Sequence, residues 1–511
     1  MAIVRAQPDH HPVKVAAPSS ASSSADSDTE AGRTAAALPP SDQAPIPLQT
    51  SVQIDDKPAI PLPGWKRWFA LFSICVAVFP SNFNNTCIMS AVPEVSADLQ
   101  TAEHVVVAAN AGMFGAMALC VFVWMPLGVL LGRRTAVLVA NAVVCACSLI
   151  SALAPNVVVF TAFWLISGLT TPFLLVAGQT ILSDIFEPTT RGFATGLILG
   201  MSTIAKAIGP LSGALIVTVT SWRVIFGASA LVSFTALVLC FFFVPSATGH
   251  GPQKHPSEIQ AQPTARRGPL EILLMFNPVA VFRPMKDPRV VLTHLSCGLA
   301  SFNLYSLLSS IRSSVAPRFN LTTPVSSGLF YLAPGIGFLV GNLVGGRLSD
   351  YTVRKWIVKR GGMRLPSDRL RSCLPATLLL APAGTLAFGW SVQERAGGMA
   401  LPIVATFFQG IGLMDAFNGL NTYAAEVVPE SRNAIISSKY LLQYTFAAAG
   451  VGISPLLLQN VGVGFTFTLT AAAAMIGGIL IALLVVSGSG NGVALPRFKT
   501  NCGSKENGSQ S

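Results

Sequence analysis

The sequence predicts an all-α polytopic membrane protein of twelve transmembrane helices in two six-helix halves. Three observations carry this expectation. Hydrophobic residues make up 51% of the 511 and charged residues only 11%, against about 25% charged in soluble domains. Apolar runs of about 17–25 residues, the length that crosses a bilayer as a helix, recur along the chain. Lys and Arg gather in alternate connections between those runs, the bias that sets orientation.

Residues 1–64, rich in Ala, Ser, Pro and Asp, lack an apolar core and have the composition of a disordered tail. They show no cleavable signal peptide, so the first apolar run is expected to serve as its own insertion signal. Six spans follow, at roughly 68–91, 104–131, 135–154, 157–183, 193–219 and 223–245, and these make an N-terminal half over 65–245. A polar, Pro-rich linker with Lys254, Arg266, Arg267 and Lys286 occupies 246–289. The second half, 290–487, holds spans at roughly 290–311, 326–346, 373–391, 399–424, 434–458 and 463–487, and a tail covers 488–511. Two sets of six around a central linker are a recurring plan of secondary transporters.

With both termini in the cytoplasm, Arg223, Arg312, Arg318 and Arg395 fall outside and Lys206 and Lys439 within spans. The other 27 of 33 Lys and Arg lie inside, so the net charge of +11 marks topology rather than nucleic-acid binding. Asn320-Leu321-Thr322 sits in an outside loop and offers a glycan acceptor at Asn320, whereas Asn84-Asn85-Thr86 lies within the first span. Six of the nine cysteines (Cys75, Cys120, Cys145, Cys147, Cys240, Cys297) are scattered through apolar runs without repeated CxxC spacing. They read as small apolar fillers, not as a disulfide framework or zinc site.

Ionisable residues within spans are the functional signal, because a charge there costs about 2.5–3.5 kcal/mol on insertion scales. Lys206 of the fifth span shares a helical face with Ser202, Gly209 and Gly213; Asp415 of the tenth shares one with Asn418 and Thr422. Lys439 of the eleventh lines up with Gln443 about one turn inside the span, where snorkelling to the interface competes with a site role. Asp415 reads either as a proton-exchanging carboxylate or as a structural partner of a lysine. Asn82, Asn84, Asn85 and Gln179 are hydrogen-bonding groups at cavity depth, with helix–helix bonding the competing explanation. His294 is expected at the interface. No Walker motif, metal-ligand cluster or nucleophile–base arrangement stands out, so neither ATP-driven transport nor enzyme activity is expected.

Several segments carry a family resemblance. Gly346-Arg347-Leu348-Ser349-Asp350-Tyr351-Thr352-Val353-Arg354-Lys355 resembles the G-x-L-a-D-x-x-x-R-K loop motif of the major facilitator superfamily, and Pro126-Leu127-Gly128-Val129-Leu130-Leu131-Gly132-Arg133-Arg134 is its degraded first-half copy, with Val129 in place of the aspartate. Gly209-Pro210-Leu211-Ser212-Gly213 resembles the antiporter motif, with Ala205 at its leading glycine, and Trp222-Arg223-Val224-Ile225-Phe226 resembles W-R-W-I-F of the twelve-span drug:proton antiporters. Trp164 replaces the usual fourth-span arginine.

The resemblance, over about 65–487, implies the major facilitator fold and alternating access. It assigns Gly346, Asp350, Arg354, Lys355, Gly132, Arg133 and Arg134 to a gating latch and Gly209, Pro210 and Gly213 to the antiporter motif. It also implies export of an organic acid, an itaconate-like dicarboxylate foremost, or of a secondary metabolite, coupled to protons. The residues expected to bind substrate are Lys206, Asn82, Asn85, Gln179, Asn418 and Lys439, with Asp415 coupling protons. A small anion, protons and the lipid bilayer are the expected partners, with no cofactor, no nucleic acid and no second subunit, at the plasma membrane before the vacuolar one. A broad-range drug:proton antiporter and a nutrient-sensing receptor on a transporter scaffold are the alternatives.

Overall fold

The computed structural model describes residues 62–245, 279–321, 323–362, 365–427 and 432–488. The N-terminal tail up to residue 61, linker residues 246–278 and the C-terminal tail from residue 489 lie outside the described residues.

Among the described residues, twelve helices are long and apolar enough to cross a membrane. The first six are α1 (Gly64–Asp98), α2 (Glu103–Leu131), α3 (Arg133–Ala152), α4 (Val157–Ile185), α5 (Pro188–Val219) and α6 (Arg223–Phe243). After a short helical turn at Val279–Phe282 come α7 (Pro288–Arg318), α8 (Leu332–Lys359), α9 (Asp368–Glu394), α10 (Ala400–Val427), α11 (Arg432–Asn460) and α12 (Val463–Gly488). Within α9, Ala376–Leu380 forms a π-helical turn after Pro375, which removes a backbone donor there. The side on which α1 begins is the near side below, and the opposite one the far side.

Local chemistry sets many of the ends. Asn156 and Asp287 accept backbone N–H groups at the starts of α4 and α7. Gly132 takes φ +78° in the turn between α2 and α3, a left-handed conformation that glycine adopts without a Cβ penalty. On the far side, Arg223 donates to the Ala152 and Ala154 carbonyls (3.1 and 2.8 Å), and both Arg223 and the Trp222 indole donate to Asp98 at 2.9 Å. The Trp-Arg pair thereby ties the ends of α1, α3 and α6 together.

Close helix contact comes from small residues, as expected where lipid gives helices little hydrophobic reason to associate. A Cβ at Gly209 would fall 2.1 Å from the Thr86 hydroxyl, and one at Gly213 2.4 Å from the Cys87 carbonyl oxygen, so the antiporter-motif glycines seat α5 on α1. In the second half, Gly337, Gly341 and Gly345 repeat every fourth residue and lay α8 against Phe407, Ile411 and Asp415 of α10.

The two halves meet chiefly through α2 against α11 and α5 against α8. Gly328 and Gly335 approach Ala214 and Ala207 of α5 too closely to carry side chains. On the far side Arg312 of α7 grips Glu94 of α1 with two hydrogen bonds, 2.8 and 2.6 Å, and also donates to the Ser90 carbonyl. The half-buried setting and bidentate geometry make this a strong type of ion pair.

Several helix ends run past the sequence expectation. The first span reaches Asp98 rather than 91, the seventh runs to Arg318 rather than 311, and the eighth does not stop near 346 but continues to Lys359. Charged residues end the hydrophobic run, but nothing in them ends a helix. For α8 the stop comes at Gly361 and Gly362, both at positive φ.

Candidate functional site

Lys206, Asp415 and Lys439 sit on α5, α10 and α11, one from the first half and two from the second. Lys206 is partly buried, and among the described residues neither an ion pair nor a hydrogen bond holds its ammonium. Lys206 and Lys439 thus place one ammonium from each half on α5 and α11, helices through which the halves meet.

Lys439 is 3% exposed and donates to the Asn421 side-chain oxygen, with its ammonium 4.0 Å from the Tyr440 ring centroid. This speaks against the snorkelling alternative: the ammonium does not reach out to water but is sheltered by a neutral amide and an aromatic face. His294 is likewise buried rather than interfacial, with Nε2 2.8 Å from the Ser438 hydroxyl and Nδ1 unpartnered.

Asp415 is buried beside Gly345, where a Cβ would fall 2.6 Å from its Oδ1. No lysine or arginine pairs with it among the described residues, so the pairing of Lys206 with Asp415 expected of a structural role is not formed. Between the two lies a polar bridge that sequence reasoning missed. Asn342 of α8 donates to the Thr203 hydroxyl at 2.9 Å, and Asn418 donates to the Asn342 carbonyl at 3.4 Å. Thr203 is three residues before Lys206 and Asn418 three after Asp415, so the bridge runs one helical turn from each.

The asparagines of α1 divide by role. Asn82 donates to its own helix at Val78, and Asn84 to Ser229 of α6 at 2.8 Å. Asn85 reaches the Met117 sulfur at 3.5 Å and leaves its buried carbonyl oxygen unpaired. Gln179 is half-buried without a hydrogen bond among the described residues. Met117, Trp124, Phe173, Val176 and Tyr440 line a narrow apolar cleft of about 20 Å³ between the halves, where Trp124 stacks on Phe173 at 5.0 Å. Trp164 does not face this region; its ring packs with Phe160 and Phe226 inside the first half, and its indole N–H is unpaired.

The gating-motif residues are arranged differently from a latch across a loop, because α8 carries Gly346, Asp350, Arg354 and Lys355 on one continuous helix. Asp350 meets Arg369 of α9 at 3.4 Å, and Arg369 meets Glu426 of α10 at 3.1 Å. In the first half, Arg133 pairs with Asp184 at the end of α4, and Arg134 donates to the Phe241 carbonyl. Pro210 is buried in α5, and Asn320 is exposed on the far side with φ +52°. Its sequon partner Thr322 lies outside the described residues.

Twelve helices in two halves of six, closed over one another around buried charges, define a carrier-type membrane protein. A family model for the Major Facilitator Superfamily matches residues 74–364. The chain belongs to the major facilitator superfamily, and it is a transporter rather than an enzyme. It is 26% identical to the multidrug transporter AQR1 of Candida glabrata over 68% of this chain, and it spans 64% of AQR1, just under two thirds. The MFS-type transporter oryF of Aspergillus oryzae is 24% identical over 83% of this chain and 90% of its own length. Among solved structures, the human organic anion transporter MFSD10 superposes with a TM-score of 0.57 at 14% identity, covering 82% of this chain and 100% of that one, which establishes likeness of fold.

Proposed function

We propose that the protein exports a small organic acid by alternating access, with an itaconate-like dicarboxylate the favoured substrate. One observation carries this: Lys206 and Lys439 stand on α5 and α11, the helices through which opposite halves meet, and no carboxylate pairs with either among the described residues. Bringing two cations together away from water is unfavourable, and an anion between them relieves that cost. A dicarboxylate places one carboxylate at each lysine and so draws the halves together in a loaded state. Asn421 and Tyr440 hold Lys439 in place, and Asn342, Asn418 and Gln179 supply neutral polar contacts.

Transport then proceeds by rocking of the halves. The Arg312–Glu94 pair closes the far side in this conformation. Opening that side breaks the pair and separates Asn342 from Thr203. Asp415, buried and without an ion pair among the described residues, takes up a proton during the cycle and couples it to export. Both termini are assigned to the cytoplasm, the membrane to the plasma membrane, and the working unit to a monomer. The Arg133–Asp184 and Asp350–Arg369 contacts act as near-side latches, and Asn320 is the outside glycan acceptor.

A second reading has its own support. The lining at Met117, Trp124 and Phe173 is apolar and aromatic, as a carrier of hydrophobic compounds would need, and a multidrug transporter is among the relatives. The test is efflux from a host that makes no itaconate, loaded in turn with itaconate, related dicarboxylates, dyes and azoles. Acid efflux above the vector control supports the organic-acid assignment. Movement of dyes and azoles alone overturns it.

A further inference from the structure

We propose that the near-side end of α8 is a binding site for an anionic phospholipid. Val344, Leu348, Tyr351 and Val358 are 50, 41, 65 and 81% exposed, and their spacing places them on one helical face. That face is turned away from the protein, as a surface against hydrocarbon should be. The same spacing puts Lys355 and Lys359, both exposed, at the near-side end of the stripe. An apolar track of Val344, Leu348 and Tyr351 that runs into two ammonium groups, with Val358 between them, matches the two parts of a phospholipid, an acyl chain and a phosphate.

The surroundings reinforce the charge. Trp356 lies among three cations, with the Arg371 guanidinium 3.9 Å, Lys359 4.8 Å and Arg360 5.0 Å from its ring centroid. A tryptophan at this depth is characteristic of the headgroup layer. The carboxylate within this group is Asp368, which is fully buried and bound by Arg360 at 2.6 and 2.7 Å, with the Arg371 Nε 3.7 Å away. One negative charge therefore serves two guanidiniums. Arg354, Lys355 and Lys359 have no ion pair among the described residues. Nearby Asp350 and Glu426 are engaged by Arg369. The patch keeps a local excess of positive charge, and basic clusters immediately outside a spanning helix attract anionic lipid.

The consequence for transport is mechanical. Arg369 and Asp368 join the end of α8 to α9 and α10, so a lipid phosphate at Lys355 and Lys359 bears on the contacts that hold these three helices together on the near side.

The test uses the full-length protein purified in detergent. Native mass spectrometry compares retention of palmitoyl-oleoyl phosphatidylglycerol, palmitoyl-oleoyl phosphatidylcholine and inorganic phosphate by the wild type and by the Lys355→Gln/Lys359→Gln variant. Both lysines are exposed, so the variant should fold, which its elution volume checks. The expected result is preferential retention of phosphatidylglycerol, weakened about fivefold per lysine removed, or about 25-fold in the double variant. Equal retention of the two lipids, unchanged phosphatidylglycerol binding by the variant, or displacement of the lipid by millimolar inorganic phosphate would each overturn the proposal.

Discussion

Asn342 of α8 donates a 2.9 Å hydrogen bond to the Thr203 hydroxyl of α5, joining the two halves one turn from Lys206. Hydrogen bonds between membrane helices are worth about 0.6 kcal/mol on average, with a maximum near 1.7. A double-mutant cycle of Thr203→Val and Asn342→Ala should therefore show a coupling of about 0.5–1.5 kcal/mol in thermal stability. Strict additivity would mean that the two side chains do not hold the halves together in solution.

The Arg312–Glu94 pair predicts a change in access. Glu94→Gln removes the charge but keeps the shape, and the far side should then open more often. In a protein carrying a reporter cysteine at Ser310, labelling by a membrane-impermeant thiol reagent should rise severalfold, about what the loss of 1–2 kcal/mol allows. A reversed pair, Glu94→Arg with Arg312→Glu, should restore slow labelling. Unchanged labelling in Glu94→Gln would remove this pair from the gate.

Two neighbouring glycines should behave oppositely. Gly345 lies against Asp415, so Gly345→Ala forces the carboxylate or the α8–α10 contact to move, whereas a Cβ at Gly346 meets nothing within 4 Å. We expect Gly345→Ala to lower transport about tenfold or to cost about 1–3 kcal/mol of stability. Gly346→Ala should leave stability within about 0.5 kcal/mol of the wild type. Similar outcomes for the two would contradict the packing described here.

Proton coupling through Asp415 makes a prediction about pH. If export exchanges with protons, efflux from the wild type should rise as the external medium is acidified. Asp415→Asn cannot release a proton, so its efflux should be slow and flat across the same range. A variant that keeps the wild-type pH response would place coupling elsewhere.

Much of the fold was legible because bilayer thickness writes itself into the sequence as apolar runs, and the six-plus-six division and the order of the spans follow from that alone. The ends were harder to read. Hydropathy ends at Arg347, but α8 runs three more turns, because arginine and aspartate are compatible with a helix and the left-handed Gly361 and Gly362 are what stop it. At the site, periodicity put Lys206, Asp415 and Asn418 on polar faces but could not name partners 139 and 76 residues away, as for Thr203–Asn342 and Asn342–Asn418. Asn342 was signalled only as a polar residue among the glycines of the eighth span. The shelter of Lys439 comes from Asn421 of α10, 18 residues away, and that of His294 from the Ser438 hydroxyl, 144 residues on, so neither could be read from one helical face.

In the proposed site one lysine from each half holds an anion between them. The most direct test is equilibrium binding of radiolabelled itaconate to purified wild type, Lys206→Ala and Lys439→Ala, each checked for normal elution and stability. Removing a charge-assisted contact is worth about 1.5–3 kcal/mol, so each variant should bind at least about tenfold more weakly. Wild-type affinity in Lys206→Ala would remove Lys206 from the anion site.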